Sequence, residues 1–389
     1  MSVHLPTIPA SAYPKRWEMV QSLMEREGID LLLVYADDHA TYGPAYARWL
    51  AGFIVHFEPV CMLFAPKAAP VMLVGPESPA YAQMHSRIQD IRVLEEFTHP
   101  DEDYPYTRLE SLADVIASVT DPAQCKRMGI AGRSMIPYDL LDVCMKVLPG
   151  EWVTVDEQMG ALRAVKTAEE LAVITYAYQM AEAGLLAGIK AVAPGVPERH
   201  VAAEAEYVMR RMGAECYGID TMAASGPNTS PILARTTMRE IGKRDLVLLT
   251  FAPRYEGYHA ALGLPILVGD PPDEAKRAVD AAIRAQIACA ALMREGQDCA
   301  AEAEARRIMG EAGLAKNFLY SGIHSVGVIE FEAPIFGPSS KAVMKENMVL
   351  SIDIPVFDGA WGGLRVEDGY LIEKNGAGRL TSFDYRVQK

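Results

Sequence analysis

Most of the acids and histidines that could do chemistry lie in the C-terminal half of the chain. His324 lies in YSGIHSVGVIEFEAP, Asp353 in ENMVLSIDIPVF and Glu367 in WGGLRVEDGYLI. An imidazole beside one or two carboxylates can act as a general acid or base near neutral pH. An ionised acid inside an otherwise apolar strand, as expected for Asp353, is costly unless it is paired. These segments therefore predict a proton-transfer site on one sheet.

Each of these residues also has a structural explanation. His324 alone would suit a hydrogen-bonded core position, and Arg365 could form a structural ion pair with Glu367 or Asp353. Alternation along a strand places Arg365 and Glu367 on one side and Asp368 on the other. The functional interpretation depends on the convergence of these groups on one sheet.

A fourth segment, LLTFAPRYEGYHAALGLP, has the form of a hairpin with Gly257 at its turn. Glu256 is its only acid. The segment therefore offers no pair of carboxylates for a metal ion.

The elements that must position these residues fall into two groups. Helix and strand patterns alternate from Tyr13 to about Asp156, and a long helical segment follows. We therefore expect an α/β domain over residues 1–157 and a second domain over 158–389. In the second, AAEAE occurs at 202–206 and again at 300–304, which predicts two α-α-β units related by a pseudo-twofold with a cleft between their strands.

Composition narrows the class of protein. A chain of 389 residues is too long for one ordinary core. Its formal charge of -14 argues against nucleic acid or an anionic membrane surface as a partner. The 6 cysteines include no C-x-x-C pair, and no apolar run is long enough to span a membrane. A soluble, cytoplasmic protein is expected.

Several ordered stretches resemble the pita-bread superfamily of peptidase family M24, which includes aminopeptidase P, prolidase, methionine aminopeptidase and creatinase. They are ASGPNTS, KRDLVLLTF, EGYHAALG, IHSVGVIEFEAP, NMVLSIDIP and GGLRVEDGYLI. The resemblance covers nearly the whole chain. It implies an N-terminal creatinase-type α/β domain, and a C-terminal pita-bread domain with pseudo-twofold α-α-β repeats around a curved antiparallel sheet. It also implies a homodimer in which the N-terminal domain lies near the partner's active site.

The resemblance further implies a set of metal ligands. Metallopeptidases of this family bind two metal ions with two aspartates, a histidine and two glutamates. The aspartates fall on Thr250 and Ala261, the histidine on His324, and the glutamates on Asp353 and Glu367. Both aspartates are missing, so we expect the dinuclear site to be lost, with at best a weak three-ligand site remaining.

Creatinase and ectoine hydrolase, which this chain resembles, also lack that metal centre. The leading hypothesis is thus a metal-independent hydrolase with no cofactor that cleaves an amide or amidine C–N bond of a small molecule. The acidic and aromatic surroundings of the cleft, and the loss of the arginines that grip creatinase's substrate, favour a neutral or cationic substrate. His324 would move the proton, Asp353 and Glu367 would orient water, and His259 would supply a second acid or base across the cleft.

The remaining predicted site residues would contact the substrate. In family members, the segment around His56 reaches into the partner's active site. The predicted substrate-binding residues are Thr250, Phe251, Tyr258, Phe331, Glu332, Arg365 and His56.

Three alternatives stay open at this point. One is an Xaa-Pro dipeptidase or aminopeptidase with a residual single-metal site on His324, Asp353 and Glu367. Another is a catalytically silent protein that binds a small molecule, and the third is a lyase on the same scaffold. The sequence alone does not name the substrate.

Overall fold

A computed structural model describes residues 5–389. The chain divides into two compact units, one spanning Ile8–Leu162 and the other spanning Arg163–Lys389 together with residues 5–7. The domain limits expected from the sequence, 1–157 and 158–389, stay a prediction.

The N-terminal unit is built on a six-stranded mixed sheet with the strand order β4-β3-β2-β1-β5-β6. Strand β1 is buried along its whole length, as expected for LLLVYA, and pairs antiparallel with β2 and parallel with β5. One apolar core packs this sheet against helices α4 and α5. The elements are α1 Ala12–Glu27, β1 Leu31–Ala36, α2 Ala45–Ala51, β2 Val60–Phe64, β3 Val71–Val74, α3 Pro79–His85, β4 Asp90–Val93, α4 Leu112–Val119, β5 Arg127–Ala131, α5 Tyr138–Val147 and β6 Glu151–Thr154.

The C-terminal unit contains two helix pairs, each followed by strands. Helix α6 Asp156–Arg163 leads into this unit. The further elements are α7 Ala168–Ala191, α8 Glu198–Arg211, β7 Cys216–Tyr217, β8 Met222–Ser225, β9 Leu246–Phe251, β10 Pro253–Tyr255, β11 Tyr258–His259, β12 Leu262–Leu267, α9 Asp273–Leu292, α10 Ala300–Glu311, β13 Ile323–Ser325, β14 Glu332–Phe336, β15 Val349–Gly359, β16 Gly362–Glu373, β17 Gly376–Arg379 and β18 Val387–Gln388.

The large sheet of the C-terminal unit runs β14-β13-β15-β16-β12-β9-β8, with β17 and β18 added to β16 and β12. Helix α7 packs against α8 and α9 packs against α10, and α7 and α9 both contact strands of this sheet. Each predicted α-α-β unit therefore corresponds to one helix pair and the strands that follow it. Strands β7, β10 and β11 form a separate small sheet.

The register of the large sheet aligns four residues in one row. Thr250 on β9 lies opposite Gly263 on β12, Gly263 lies opposite Glu367 on β16, and Glu367 lies opposite Asp353 on β15. Residues directly opposite each other on paired strands project to the same face. The row therefore places the carboxylates of Asp353 and Glu367 side by side.

His324 joins this face from the neighbouring strand. It lies opposite Ser351, two residues before Asp353 on β15. Arg365 lies two residues before Glu367, whereas Asp368 projects to the other face, where Thr381 and Tyr385 donate hydrogen bonds to it. The alternation read from the sequence is confirmed.

Within residues 5–389, none of the helices combines the length and apolar character needed to cross a membrane.

Candidate active site

A cavity of about 270 Å³ lies in the C-terminal unit over the row of aligned acids. Its polar lining residues are Tyr320, His324, Glu330, Asp353, Arg365 and Glu367. Its apolar lining residues are Ile219, Ile232, Leu233 and Phe331. The lining therefore combines ionisable groups with hydrocarbon side chains.

His324 and Glu367 form the central pair of the site, and both are almost fully buried. His324 Nε2 lies 3.4 Å from Glu367 Oε1, which also accepts a hydrogen bond of 3.0 Å from Ser351 Oγ. Burial by itself lowers the pKa of His324, but the Glu367 hydrogen bond and nearby acids outweigh it and raise that pKa. Burial opposes ionisation of Glu367, yet His324 and Arg365 lower its pKa overall. Each residue therefore favours the charged form of the other.

Asp353 is held through one of its two oxygens. Tyr320 Oη donates a hydrogen bond of 2.7 Å to Asp353 Oδ2. Burial raises the pKa of Asp353 to about 6, opposed by attraction to Arg365 and reinforced by repulsion from Glu367. Asp353 Oδ1 has no hydrogen-bond partner in the described part of the chain. Its free oxygen and its pKa near neutrality suit a proton acceptor.

Arg365 balances the two central acids. Its Nε lies 3.9 Å from Asp353 Oδ1, and its Nη1 lies 3.8 Å from Glu367 Oε2. The side chain crosses over Gly263, where an added Cβ would lie 2.5 Å from Arg365 Cγ. Gly263 is thus required for this path of Arg365.

Glu330 adds a third acid from the loop that follows β13. Burial raises its pKa to about 7, opposed by attraction to His324 and reinforced by repulsion from Glu367. His324, Glu330 and Glu367 each offer one ligand atom, and these atoms lie within 4.8 Å of one another. The site is thus crowded with acids that only one arginine and one histidine offset.

The donor set fits a single divalent cation. One imidazole nitrogen and two carboxylates form a donor set found in zinc sites and other transition-metal sites. Glu367 Oε2 has no hydrogen-bond partner within residues 5–389, so a cation would satisfy a buried acceptor. The expectation that no metal binds is at odds with this geometry, because Glu330 supplies a ligand atom close to those of His324 and Glu367.

His259 lies on the hairpin but does not line the cavity. Its Nδ1 lies 3.1 Å from Gly327 O, and its Nε2 has no hydrogen-bond partner among the described residues. Burial, with repulsion from Arg254, lowers its pKa to about 3. The ring therefore stays neutral near pH 7, which does not support the predicted role as a second acid or base.

Three predicted substrate contacts on the hairpin are directed elsewhere. Thr250 is buried beside Gly263, and its hydroxyl has no hydrogen-bond partner in residues 5–389. Phe251 is fully buried. Tyr258 donates a hydrogen bond of 2.5 Å to Glu170 on α7. None of the three lines the cavity, because the hairpin packs against α7.

Of the other predicted contacts, Phe331 and Arg365 line the cavity and two do not. The Phe331 ring stacks on His324 with their ring centroids 4.2 Å apart. Glu332 forms buried ion pairs. His56 is exposed on the N-terminal unit, where its Nδ1 lies 3.2 Å from Asp38 Oδ2, and its role stays a prediction.

The sequence reasoning missed several lining residues. Tyr320 precedes His324 by four residues, so alternation along an extended segment could have indicated it. Glu330 lies in the same quoted stretch as His324 but was not among the predicted site residues. Ile219, Ile232 and Leu233 lie in irregular segments with no periodic signal.

Sequence profiles of two known domains match the chain. That of metallopeptidase family M24 covers residues 172–374, and that of the creatinase/prolidase N-terminal domain covers residues 16–165.

Similar proteins are described as Xaa-Pro dipeptidases. That of Pyrococcus horikoshii is 26% identical over 360 residues, covering 92% of this chain and 94% of the relative. That of Pyrococcus furiosus is 32% identical over 232 residues, covering 59% of this chain and 67% of the relative.

Solved structures share the fold. The prolidase from Pyrococcus horikoshii superposes with a TM-score of 0.82 at 24% identity, covering 95% of this chain and 99% of that one. An Xaa-Pro dipeptidase from Bacillus anthracis also gives a TM-score of 0.82, at 22% identity, covering 97% of this chain and 100% of that one. The predicted fold, a creatinase-type domain followed by a pita-bread domain, is confirmed.

The leading functional expectation is wrong. A metal-independent, creatinase-like hydrolase is contradicted by relatives described as Xaa-Pro dipeptidases and by a matching metallopeptidase profile. The cluster of His324, Glu330 and Glu367 agrees with this correction. The findings favour the alternative with a single remaining metal site.

Proposed function

The chain belongs to metallopeptidase family M24, and on this premise we propose that it is a hydrolase that cleaves Xaa-Pro dipeptides with one divalent cation. The observation that carries the proposal is the convergence of His324, Glu330 and Glu367 in the cavity. The names of the relatives support the substrate class and the C–N bond that is cut.

One cation is proposed rather than two because the neighbouring strands lack acids. Thr250 and Ala261 are buried and uncharged. The space over Gly263 is taken by the aliphatic part of Arg365, whose guanidinium supplies positive charge beside Asp353 and Glu367. A second cation there would meet a fixed positive charge and too few ligands.

The ligands proposed here differ from those expected from the sequence. Glu330 takes the place of Asp353 in the ligand set, because its ligand atom lies within reach of those of both His324 and Glu367. A cation held by these residues would supply Lewis-acid activation of a carbonyl and of water.

Asp353 is proposed as the proton acceptor of the reaction. Tyr320 and Arg365 restrict its orientation, and its Oδ1 is free to take a proton from water. Burial and neighbouring Asp353 raise the pKa of the Tyr320 hydroxyl well above its ordinary value, so that Tyr320 stays a hydrogen-bond donor. A proton on Asp353 can then be passed to the leaving nitrogen.

The apolar lining is proposed to receive the proline ring. Ile219, Ile232 and Leu233 line the same cavity as the charged cluster, and Phe331 shields one face of His324. A pyrrolidine ring has no N–H to satisfy in a peptide bond, so hydrocarbon walls suit it.

Metal content and dipeptide hydrolysis test the proposal together. The purified protein is treated with a chelator and reconstituted with Mn²⁺, Co²⁺ or Zn²⁺. We expect about one ion per chain by elemental analysis, and Ala-Pro hydrolysis that is lost on chelation and restored by the ion. Glu330→Gln is expected to weaken cation binding by at least about tenfold, since a charged ligand is removed.

Glu198→Gln is the matched control. Glu198 is a buried acid of the same unit that accepts hydrogen bonds from Ser225 and Thr237 and does not line the cavity. Its substitution should lower stability without changing the cation stoichiometry. A wild-type protein that binds no divalent ion and does not cleave Xaa-Pro dipeptides would overturn the proposal.

The homodimer and the cytoplasmic location expected from the sequence stay predictions. So do the silent binding protein and the lyase, since no observation favours either over hydrolysis.

A further inference from the structure

Glu330 reaches the site on a loop without regular secondary structure. This Glu330 loop, residues 326–331, joins β13 to β14. It also carries Phe331, whose ring stacks on His324 at an interplanar angle of 30°. Unlike His324 and Glu367, which are held by the ladder of the large sheet, Glu330 depends on whatever fixes its loop.

A buried ion pair anchors the end of this loop. Lys166 Nζ lies 3.0 Å from Glu332 Oε1, and both side chains are almost completely buried, with exposed fractions of 1% and 4%. Lys166 Nζ also donates a hydrogen bond of 2.8 Å to Arg163 O. The second Glu332 oxygen lies 3.5 Å from Arg163 Nη2. A charge-assisted pair with both partners further bonded restricts geometry strongly.

The same ion pair also holds the start of the loop. A Cβ added at Gly327 would lie 2.2 Å from Glu332 Oε1 and 3.0 Å from Lys166 Nζ, so the Gly327 backbone lies directly on the pair. From the hairpin, the His259 backbone N–H donates a hydrogen bond of 2.9 Å to Gly327 O. Both ends of the Glu330 loop are therefore fixed by groups that lie outside the cavity.

The anchor links distant parts of the sequence. Lys166 lies between helices α6 and α7, 166 residues before Glu332. Lys166 N also donates a hydrogen bond of 3.0 Å to Asn347 O, just before β15. Movement of Lys166 would therefore be transmitted to Glu330 through Glu332 and Gly327.

We propose that Lys166 and Glu332 are positioning residues that set the cation affinity of the site by holding the Glu330 loop. This inference rests on the proposed function, in which Glu330 is a cation ligand. Neither residue lines the cavity.

Titration of the cation-free protein with Mn²⁺ tests the proposal. Glu332→Gln, which keeps the side-chain shape, and Lys166→Met should each raise the Kd for Mn²⁺ by about tenfold, the effect typical of residues that orient a metal ligand. In a Glu330→Gln background, Glu332→Gln should cause no further loss. Glu198→Gln should lower stability but leave the Kd unchanged.

Amide hydrogen exchange gives a readout that does not involve the metal. In the cation-free protein, Glu332→Gln should speed exchange at residues 326–331 relative to wild type, whereas Glu198→Gln should not. Exchange rates at residues 326–331 that are unchanged in both Glu332→Gln and Lys166→Met would overturn the proposal. So would a loss of Mn²⁺ affinity from Glu332→Gln that is as large in the Glu330→Gln background as in the wild type. Absence of Mn²⁺ binding by the wild type would overturn the proposed function, while exchange would still decide whether the anchor exists.

Discussion

At the scale of single residues, the site is a balance between crowded acids and few positive charges. Burial raises the pKa of Glu330 to about 7 and that of Asp353 to about 6, whereas the pKa of Glu367 is lowered by His324 and Arg365. A cation requires a neutral imidazole and ionised carboxylates as ligands, so its binding must release protons from this cluster. Asp353 remains available for proton transfer because Tyr320 occupies only one of its oxygens.

His259 should make the protein sensitive to acid. Burial, with Arg254, lowers its pKa in the folded protein to about 3, compared with about 6.5 in the unfolded chain. The His259 imidazole therefore binds a proton more tightly in the unfolded chain than in the folded protein. The stability that the neutral His259 contributes is lost as the pH falls from about 6.5 towards 3. The expected slope is at most about 1.4 kcal/mol per pH unit.

His259→Asn should remove this part of the slope, because an amide does not titrate there and can still donate a hydrogen bond to Gly327 O. Urea unfolding at pH 7, 6 and 5 measures the difference between the wild-type and variant curves. Substitution of the exposed His200 by Asn is the control and should leave the slope as in wild type. Parallel wild-type and His259→Asn curves would contradict the prediction.

At the scale of elements, strands β15 and β16 separate two kinds of acid. Asp353 and Glu367 project into the cavity, while Asp368, the next residue, lies on the other face and accepts a hydrogen bond of 2.5 Å from Arg379. Strand alternation is local, so this separation could be predicted from the sequence. The loop after β13 has no such periodicity, so the approach of Glu330 to His324 could not be predicted from the sequence.

Gly369 should be essential for packing helix α7 against the large sheet. A Cβ at Gly369 would lie 2.1 Å from Tyr178 Cζ, and the Tyr178 ring is fully buried. Overpacking of this kind costs about 1–3 kcal/mol. Gly369→Ala should therefore lower the free energy of unfolding by about 1–3 kcal/mol. Chemical denaturation measures the change. Gly376→Ala is the control, since nothing lies within 4 Å of its added Cβ, and an equal loss in both variants would refute the packing argument.

At the scale of the whole molecule, the proposed cation ligands, the proposed proton acceptor and the apolar lining all lie in the C-terminal unit. The cavity of about 270 Å³ is slightly smaller than typical ligand sites, which measure about 300–1,000 Å³. The N-terminal unit has its own apolar core and sheet. The proposed chemistry therefore belongs to one unit.

The size of the cavity predicts a preference for short substrates. Ala-Pro should be hydrolysed with a kcat/KM at least about tenfold above that of Ala-Pro-Ala. The third residue of Ala-Pro-Ala would have to extend outside the cavity or displace the side chains that line it. Ala-Ala serves as a second comparison for the proline preference. Equal kcat/KM values for Ala-Pro and Ala-Pro-Ala would show that this cavity does not limit substrate length.

The sequence by itself determined the two-part α/β architecture and the strand alternation that puts Arg365 beside Glu367, whereas the roles it predicts for His324 and Asp353 stay predictions. These follow from local periodicity and from motifs that are continuous along the chain. Only the tertiary structure showed that Glu330 joins His324 and Glu367, that Tyr320 holds Asp353, and that His259 is buried and neutral. The physical reason is that ligand geometry and pKa depend on distance and burial, which are decided by contacts between residues far apart in sequence, such as Lys166 and Glu332.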